Sequence, residues 1–199
     1  MTSHAATWDL DDLDVPERTA VQGVRRPART IAITSGKGGV GKSNLVANLS
    51  LGIARLGKSV LVLDADLGLA NLDVLYGVRP QHTLFHVFQG TRDILEVVTQ
   101  AAPGVRFIAG GSGMRELADL DDGARTRFLQ QLARLDAAAD VVLIDTGAGL
   151  SSNVMSFVTA ADEVLVVTTP EPTAMADAYG IIKTLASESD PFPTVNLVV

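Results

Sequence analysis

The segment Ser35-Gly36-Lys37-Gly38-Gly39-Val40-Gly41-Lys42-Ser43 places four glycines within six positions, between an apolar run and a helix-patterned stretch. Such a loop has a narrow range of uses. Several backbone N–H groups can aim at one point only where bulky side chains are absent and left-handed backbone is free of strain. A helix starting at Lys42 adds its positive N-terminal end, equivalent to roughly half a charge. Together these features match the Walker A pattern, Gly36-x-x-x-x-Gly41-Lys42-Ser43, in its required strand–loop–helix context. The pattern predicts a nucleotide phosphate site built from Gly36, Lys37, Gly38, Gly39, Val40, Gly41, Lys42, Ser43 and Asn44. In it Lys42 reaches the β and γ phosphates of ATP, and the Ser43 hydroxyl is a ligand for Mg²⁺.

The remainder of the chain fits that context. Apolar runs at Ile31–Ile33, Val60–Leu63, Val105–Ala109, Val141–Ile144, Val164–Val167 and Val195–Val199 are nearly continuous rather than alternating. That is the pattern of strands buried on both faces of a parallel sheet. Helix-length segments separate them: Lys42 to Leu56, then stretches near 91–99, 123–136, 151–160 and 173–187. In the first, Leu45, Val46, Leu49, Ile53 and Leu56 fall on one face, and Gly57 is a natural stop. The predicted fold is α/β: a doubly wound, mainly parallel sheet with helices on both faces. Residues 30–199 form this domain, and residues 1–29 are expected to be a flexible leader. The leader carries Asp9, Asp11, Asp12, Asp14 and Glu17, followed by Arg18, Arg25, Arg26 and Arg29. Its alternative use is as a short docking segment through Trp8 or Leu13. Pro193–Val199 reads as an interior strand with no covering helix after it, so the chain is expected to be truncated at its C-terminus.

Composition removes several chemistries. The absence of cysteine excludes disulfides, thiolate metal sites and cysteine nucleophiles. A net charge of -7 argues against a surface devoted to nucleic acid. No apolar stretch reaches the roughly 18 residues of a membrane span, and Met1–Leu13 does not resemble a signal peptide. A cytoplasmic location is expected. His4, His82 and His86 lack metal-ligand spacing and read as surface or packing residues.

Acidic residues stand where the phosphate chemistry needs them. Strand Val60–Leu63 runs into Asp64-Ala65-Asp66, and strand Val141–Ile144 ends in Asp145, the Walker B form. In a doubly wound sheet, strand C-termini face the ligand. Asp64 and Asp66 are therefore placed to serve Mg²⁺ hydration and to orient the attacking water. Asp145 is placed to hold a Mg²⁺-bound water or Ser43. The metal set is thus Ser43, Asp64 and Asp145; the catalytic set is Lys37, Lys42 and Asp66. Thr146-Gly147-Ala148-Gly149 supplies a turn suited to sensing a γ-phosphate.

Lys37 sits at the tip of a loop that is already electropositive, so its simplest use is a phosphate, its own or one held by a second subunit. The segment Gly36–Ser43 as a whole resembles the deviant Walker A motif of the MinD/ParA family of P-loop ATPases. That resemblance implies a homodimer assembled around ATP, with Lys37 reaching the partner's nucleotide. By the same match Leu67–Asp73 is similar to switch I, Asp66 activates water, and Asp64 supports the outer shell of the metal.

Asp66–Asp73, Asp145–Ser151 and Thr169–Ala174 look more like the FlhG/FleN/YlxH branch, regulators of flagellar number and placement, than MinD itself. The branch implies three partners: an FlhF-type GTPase, flagellar basal-body proteins, and the inner face of the cell membrane as a peripheral contact. The chain departs from the branch in three places. Thr19–Arg25 only faintly matches the N-terminal Asp-Gln-Ala motif that acts on FlhF. The adenine-contacting Asn-Arg segment and the amphipathic membrane helix would both fall after Val199. The competing readings are a division-site or chromosome-partition ATPase, and a truncated interaction module without catalysis. A bacterial tyrosine kinase would need a tyrosine-rich tail, whereas only Tyr76 and Tyr179 are present.

Overall fold

A computed structural model describes residues 27–66, 71–111, 130–189 and 192–199. Seven strands lie in one sheet: β1 (Arg29–Ser35), β2 (Val60–Ala65), β3 (Thr99–Ala102), β4 (Val105–Ile108), β5 (Val141–Ala148), β6 (Glu163–Val167) and β7 (Thr194–Val198). Their order is β3-β4-β2-β5-β1-β6-β7. All pairings are parallel except β3 with β4. The five main helices are α1 (Lys42–Arg55), α2 (Leu72–Tyr76), α3 (Leu84–Phe88), α4 (Ser152–Thr159) and α5 (Pro172–Glu188).

Strand alternation divides the core into two layers. From β2, Leu61 and Leu63 enter the layer that includes Val154, Phe157, Ile181 and Leu185 of α4 and α5. Val60 and Val62 enter the opposite layer with Val46, Ala47 and Ala54 of α1. Helices therefore cover both faces, as the near-continuous apolar strands require. All six expected strands are present.

Three expectations need correction. The stretch near 91–99 is not a helix: a 3₁₀ turn at Ile94–Val97 leads into β3. Asp93 caps that turn by accepting from Leu95 N at 3.0 Å, while β-branched Val97, Val98 and Thr99 favour extended backbone. Pro103-Gly104 then turns the chain back, with Gly104 at φ +76. On α1, the buried stripe is Val46, Ala47, Ser50 and Ala54, whereas Leu56 is 80% exposed. Small residues let the helix lie close to the sheet, and Leu45, Leu49 and Ile53 pack at its flanks. Finally, β7 pairs only with β6 among the described residues and is half exposed, so it is an edge strand here rather than an interior one. The short helices α2 and α3 were not foreseen. The leader up to residue 26, residues 67–70 of the switch-like segment, and residues 123–129 of the expected helix near 123–136 lie outside the described residues; the rest of that stretch is helical at 130–133 and a 3₁₀ turn at Arg134–Ala137. No helix among the described residues is long and apolar enough to cross a membrane.

Candidate nucleotide site

The loop between β1 and α1 emerges where the chain crosses from one side of β1 to the other, at the carboxyl ends of the parallel strands. Gly39 and Gly41 have φ of +81 and +96, so any other residue there would be strained. Gly41 caps α1, its carbonyl accepting from Leu45 N at 2.9 Å. A Cβ built on Gly38, Gly39 or Gly41 meets nothing within 4 Å, leaving open space over the loop. Gly36 differs: its Cβ would lie 2.3 Å from the Asp177 Cβ and 2.5 Å from the Asp177 carbonyl carbon. Helix α5 thus packs directly on the start of the loop. Inside the turn, the Ser35 hydroxyl donates to Lys37 O at 2.7 Å, and Gly149 N donates to Ser35 O at 2.9 Å.

Two carboxylates stand side by side behind this loop. Asp64 and Asp145 are partners in the β2–β5 register, and each is only 1% exposed. Burial pushes the Asp64 carboxyl up to about 7, with the Asp145 charge adding to the rise. The backbone N–H groups of Asp66 (3.2 Å) and Leu72 (3.4 Å) donate to Asp64 and offset part of it. Burial raises Asp145 to about 6 against the pull of the Ser43 hydroxyl and the Lys42 charge. Lys42 itself is 8% exposed. The Oδ1 atom of Asp145 is buried without a hydrogen-bond partner. Buried polar atoms are rarely left so.

This donor set fits a hydrated divalent cation with a phosphate group. It combines two buried acids, one hydroxyl, an unsatisfied carboxylate oxygen and an open glycine cradle. Hard oxygen ligands of this kind suit Mg²⁺.

The remaining expected residues divide. Asp66 lies beside the C-terminal end of β5: a Cβ on Gly147 would come 3.6 Å from its Oδ1. That strand end is anchored by Thr146, whose hydroxyl donates to Ile33 O at 3.1 Å. Asn44 is exposed, and its carbonyl accepts from Asn48 Nδ2 at 2.8 Å. Val40 packs on the core layer beneath α1. Lys37 is engaged elsewhere, its Nζ donating to Glu171 Oε2 at 2.8 Å. This contact raises the Lys37 ammonium and lowers the Glu171 carboxyl.

Sequence reasoning assigned no role to Glu171, Asp177 or Gly110. Gly110 follows β4, and a Cβ there would lie 2.6 Å from the Asp64 carbonyl oxygen. Its signal was the Gly110-Gly111 pair directly after a strand. Glu171 and Asp177 carry no local signal, because only the β6–α5 crossover brings them to the loop. Of the histidines expected to be surface or packing residues, His86 packs: its Nδ1 accepts from Thr83 N at 3.1 Å and closes the start of α3, and the His82 ring lies edge-on to it at 5.2 Å.

Comparison with known proteins agrees with this geometry. A family model described as an AAA domain matches residues 28–191. The chain is 44% identical over 163 residues to the antiactivator FleN of Pseudomonas aeruginosa, covering 82% of this chain and 58% of FleN. It is 42% identical to the flagellum site-determining protein YlxH of Helicobacter pylori, covering 80% of this chain and 54% of YlxH. The chain therefore spans less than two thirds of the length of these relatives. Among solved structures, the septum site-determining protein MinD complexed with Mg-ADP from Pyrococcus horikoshii superposes with a TM-score of 0.70 at 28% identity. That match covers 84% of this chain and 68% of MinD. With its loop, its acidic strand ends and these likenesses taken together, the chain belongs to the MinD/ParA family of deviant Walker A ATPases, in the branch that contains FleN and YlxH.

Proposed function

We propose that this chain is a Mg-ATP-dependent switch ATPase that dimerises around ATP, separates after hydrolysis, and regulates flagellar number and placement. The observation that carries the reading is the buried Asp64–Asp145 pair beside Lys42, Ser43 and an open glycine loop. Buried acids with raised pKa values and an unsatisfied oxygen are poorly stabilised in isolation. A function that brings a cation and a phosphate together explains why they are retained.

The roles follow from position. Gly36 to Ser43 hold the phosphates through backbone N–H groups, and Lys42 balances their charge. Ser43 and Asp145 would hold Mg²⁺, and Asp64 would orient water in its outer shell. When bound, the metal neutralises phosphate charge during transfer. Asp66, beside Gly147, accepts a proton from the attacking water and orients it. Lys37 leaves Glu171 and contacts the nucleotide of the second subunit. In the flagellar reading the partners are an FlhF-type GTPase and basal-body proteins, with peripheral membrane contact requiring an amphipathic helix elsewhere in the protein.

Size-exclusion chromatography with light scattering, in ATP and Mg²⁺, tests the switch. Asp66→Ala should accumulate as a dimer without turnover, whereas Lys37→Ala should stay monomeric. A monomer in every case, including the parent chain, overturns the dimer. Counting flagella in cells that lack the protein tests the process. A second reading, placement of the division site, is favoured by the likeness to MinD. Normal flagella with displaced septa would select it.

A further inference from the structure

Helix α2 has five residues, too few to be stable by itself, so its contacts decide where it lies. Leu72 and Tyr76, four positions apart, share the face turned to the domain, while Val74 and Leu75 are exposed. Each end of α2 is tied to a different part of the nucleotide site. At its start, Leu72 N donates to Asp64 Oδ2 at 3.4 Å. At its end, the Tyr76 hydroxyl lies 2.8 Å from Ser50 Oγ, on the helix whose first residues are Lys42 and Ser43. The direction of this second bond follows from its surroundings. Ser50 is fully buried and its hydroxyl donates to Ala47 O at 2.7 Å, so its one proton is engaged and Tyr76 is the donor. Burial pushes the Tyr76 hydroxyl up to about 12 against the pull of the Ser50 contact, and the Asp145 and Asp64 charges add to the rise. The proton for that bond therefore stays in place at neutral pH. The Tyr76 ring packs on Phe107, with centroids 5.5 Å apart, and Phe107 is buried beside Val62 of β2.

We propose that Tyr76 is a positioning residue for ATP hydrolysis: its hydrogen bond to Ser50 fixes α2 against α1, and α2 in turn holds the Asp64 carboxylate in its working orientation. This role rests on Asp64 orienting water in the outer shell of Mg²⁺. Each oxygen of Asp64 accepts one N–H, Oδ1 from Asp66 at 3.2 Å and Oδ2 from Leu72. Asp66 is two residues further along the same segment and moves with Asp64, so Leu72 is the contact that comes from a separate element. A carboxylate torsion is broad and two-fold, and a donor fixed from outside selects its plane. At 3.4 Å the Leu72 bond is already long, so a shift of α2 by a few tenths of an ångström ends it. Through Ser50, the reference for that orientation becomes α1, which also carries Lys42 and Ser43. The phosphate ligands and the acid that orients water are thereby aligned to one helix.

Tyr76→Phe keeps the ring on Phe107 and leaves Ser50 with its Ala47 acceptor, so it removes one bond without stranding a donor. We expect kcat to fall about three- to tenfold while the KM for ATP stays within about twofold, because the phosphate loop is untouched. Ser50→Ala should give the same loss, and the double variant no more, as for two ends of one bond. Amide exchange followed by NMR in the nucleotide-free protein supplies a readout besides turnover. The Leu72 amide should exchange about tenfold faster in Tyr76→Phe, with Val46 in α1 and Val62 in β2 exchanging as in the parent chain. Unchanged Leu72 exchange or unchanged kcat overturns the proposal. So does a rise in KM that matches the loss of kcat, or faster exchange at Val46 and Val62 as well, which would mean that Tyr76 only stabilises the fold. A parent chain without ATP turnover would overturn the role of Asp64 itself, an outcome distinct from parent turnover that Tyr76→Phe leaves intact.

Discussion

The Lys37 ammonium and the Glu171 carboxylate, 134 positions apart in the chain, form an ion pair of 2.8 Å at the mouth of the phosphate loop. Both side chains are about half exposed or more, so the pair adds little to stability. Its significance lies in competition, because the lysine cannot serve Glu171 and a phosphate at once. Glu171→Gln should leave the melting temperature nearly unchanged. The same variant should lower the protein concentration needed for ATP-dependent self-association by about two- to fivefold. Differential scanning fluorimetry and sedimentation velocity measure the two effects. A large drop in melting temperature would show that the pair is structural instead.

The buried acids give stability an unusual pH dependence. The folded-state pKa values of Asp64 and Asp145, about 7 and about 6, lie above the ordinary aspartate value of 3.8. Between these limits the folded state binds more protons than the unfolded state. Their contribution to stability is therefore greatest below pH 4 and declines as pH rises through 7. Asp64→Asn removes the cost of burying this charge while keeping an acceptor for Asp66 N and Leu72 N. In the absence of metal it should stabilise the protein at pH 8, by on the order of 2 kcal/mol. At pH 4 the difference should nearly vanish. Urea denaturation of both proteins across this range checks the sign, and a gain independent of pH would contradict it.

Much of this site was legible in sequence because its parts are local. Gly36 to Ser43 is one continuous segment, and its glycine spacing reports backbone geometry directly. Asp64, Asp66 and Asp145 each follow an apolar run, and parallel strands bring their C-termini to one side. What escaped was non-local or short. Glu171 and Asp177 reach the loop only through the packing of α5, and nothing in Pro170–Asp177 indicates which loop they meet. Strand β3 was hidden because Thr99–Ala102 is a short antiparallel edge whose pattern has no parallel-sheet signature. The burial of α1 was misjudged at Leu56 because periodicity counts large apolar residues, whereas this helix seats small ones against the sheet.

Lys42 stands between two roles, and one substitution separates them. It is nearly buried and its charge pulls down the Asp145 carboxyl. Lys42→Met keeps the length and fills the same space without the charge. The fold should persist, while affinity for a fluorescent ATP analogue should fall about 10- to 100-fold, the scale of a charge-assisted hydrogen bond. Asp145 should then titrate higher still, so any remaining Mg²⁺ dependence should move to higher pH. Isothermal titration at pH 6.5 and 8.5 reads both effects. Unaltered affinity at both values would remove Lys42 from the site.

Gly36 and Gly38 offer the sharpest contrast, since they sit two residues apart with opposite surroundings. A Cβ on Gly38 meets nothing within 4 Å, whereas one on Gly36 would overlap the backbone carbonyl carbon of Asp177. The obstacle at Gly36 is helix backbone, so trimming the Asp177 side chain does not relieve it. Gly36→Ala must displace either the loop or α5, at about 1–3 kcal/mol. The same movement shifts the N–H groups that meet the phosphates and pulls Glu171 away from Lys37. Gly36→Ala should therefore melt lower and bind nucleotide at least about tenfold more weakly, and Gly36→Ala/Asp177→Gly should not recover. Gly38→Ala should melt like the parent chain, so any change in its nucleotide affinity would come from crowding of the bound phosphate alone. Melting curves with and without an ATP analogue distinguish the cases, and a parent-like Gly36→Ala would show that α5 does not clamp the loop in solution.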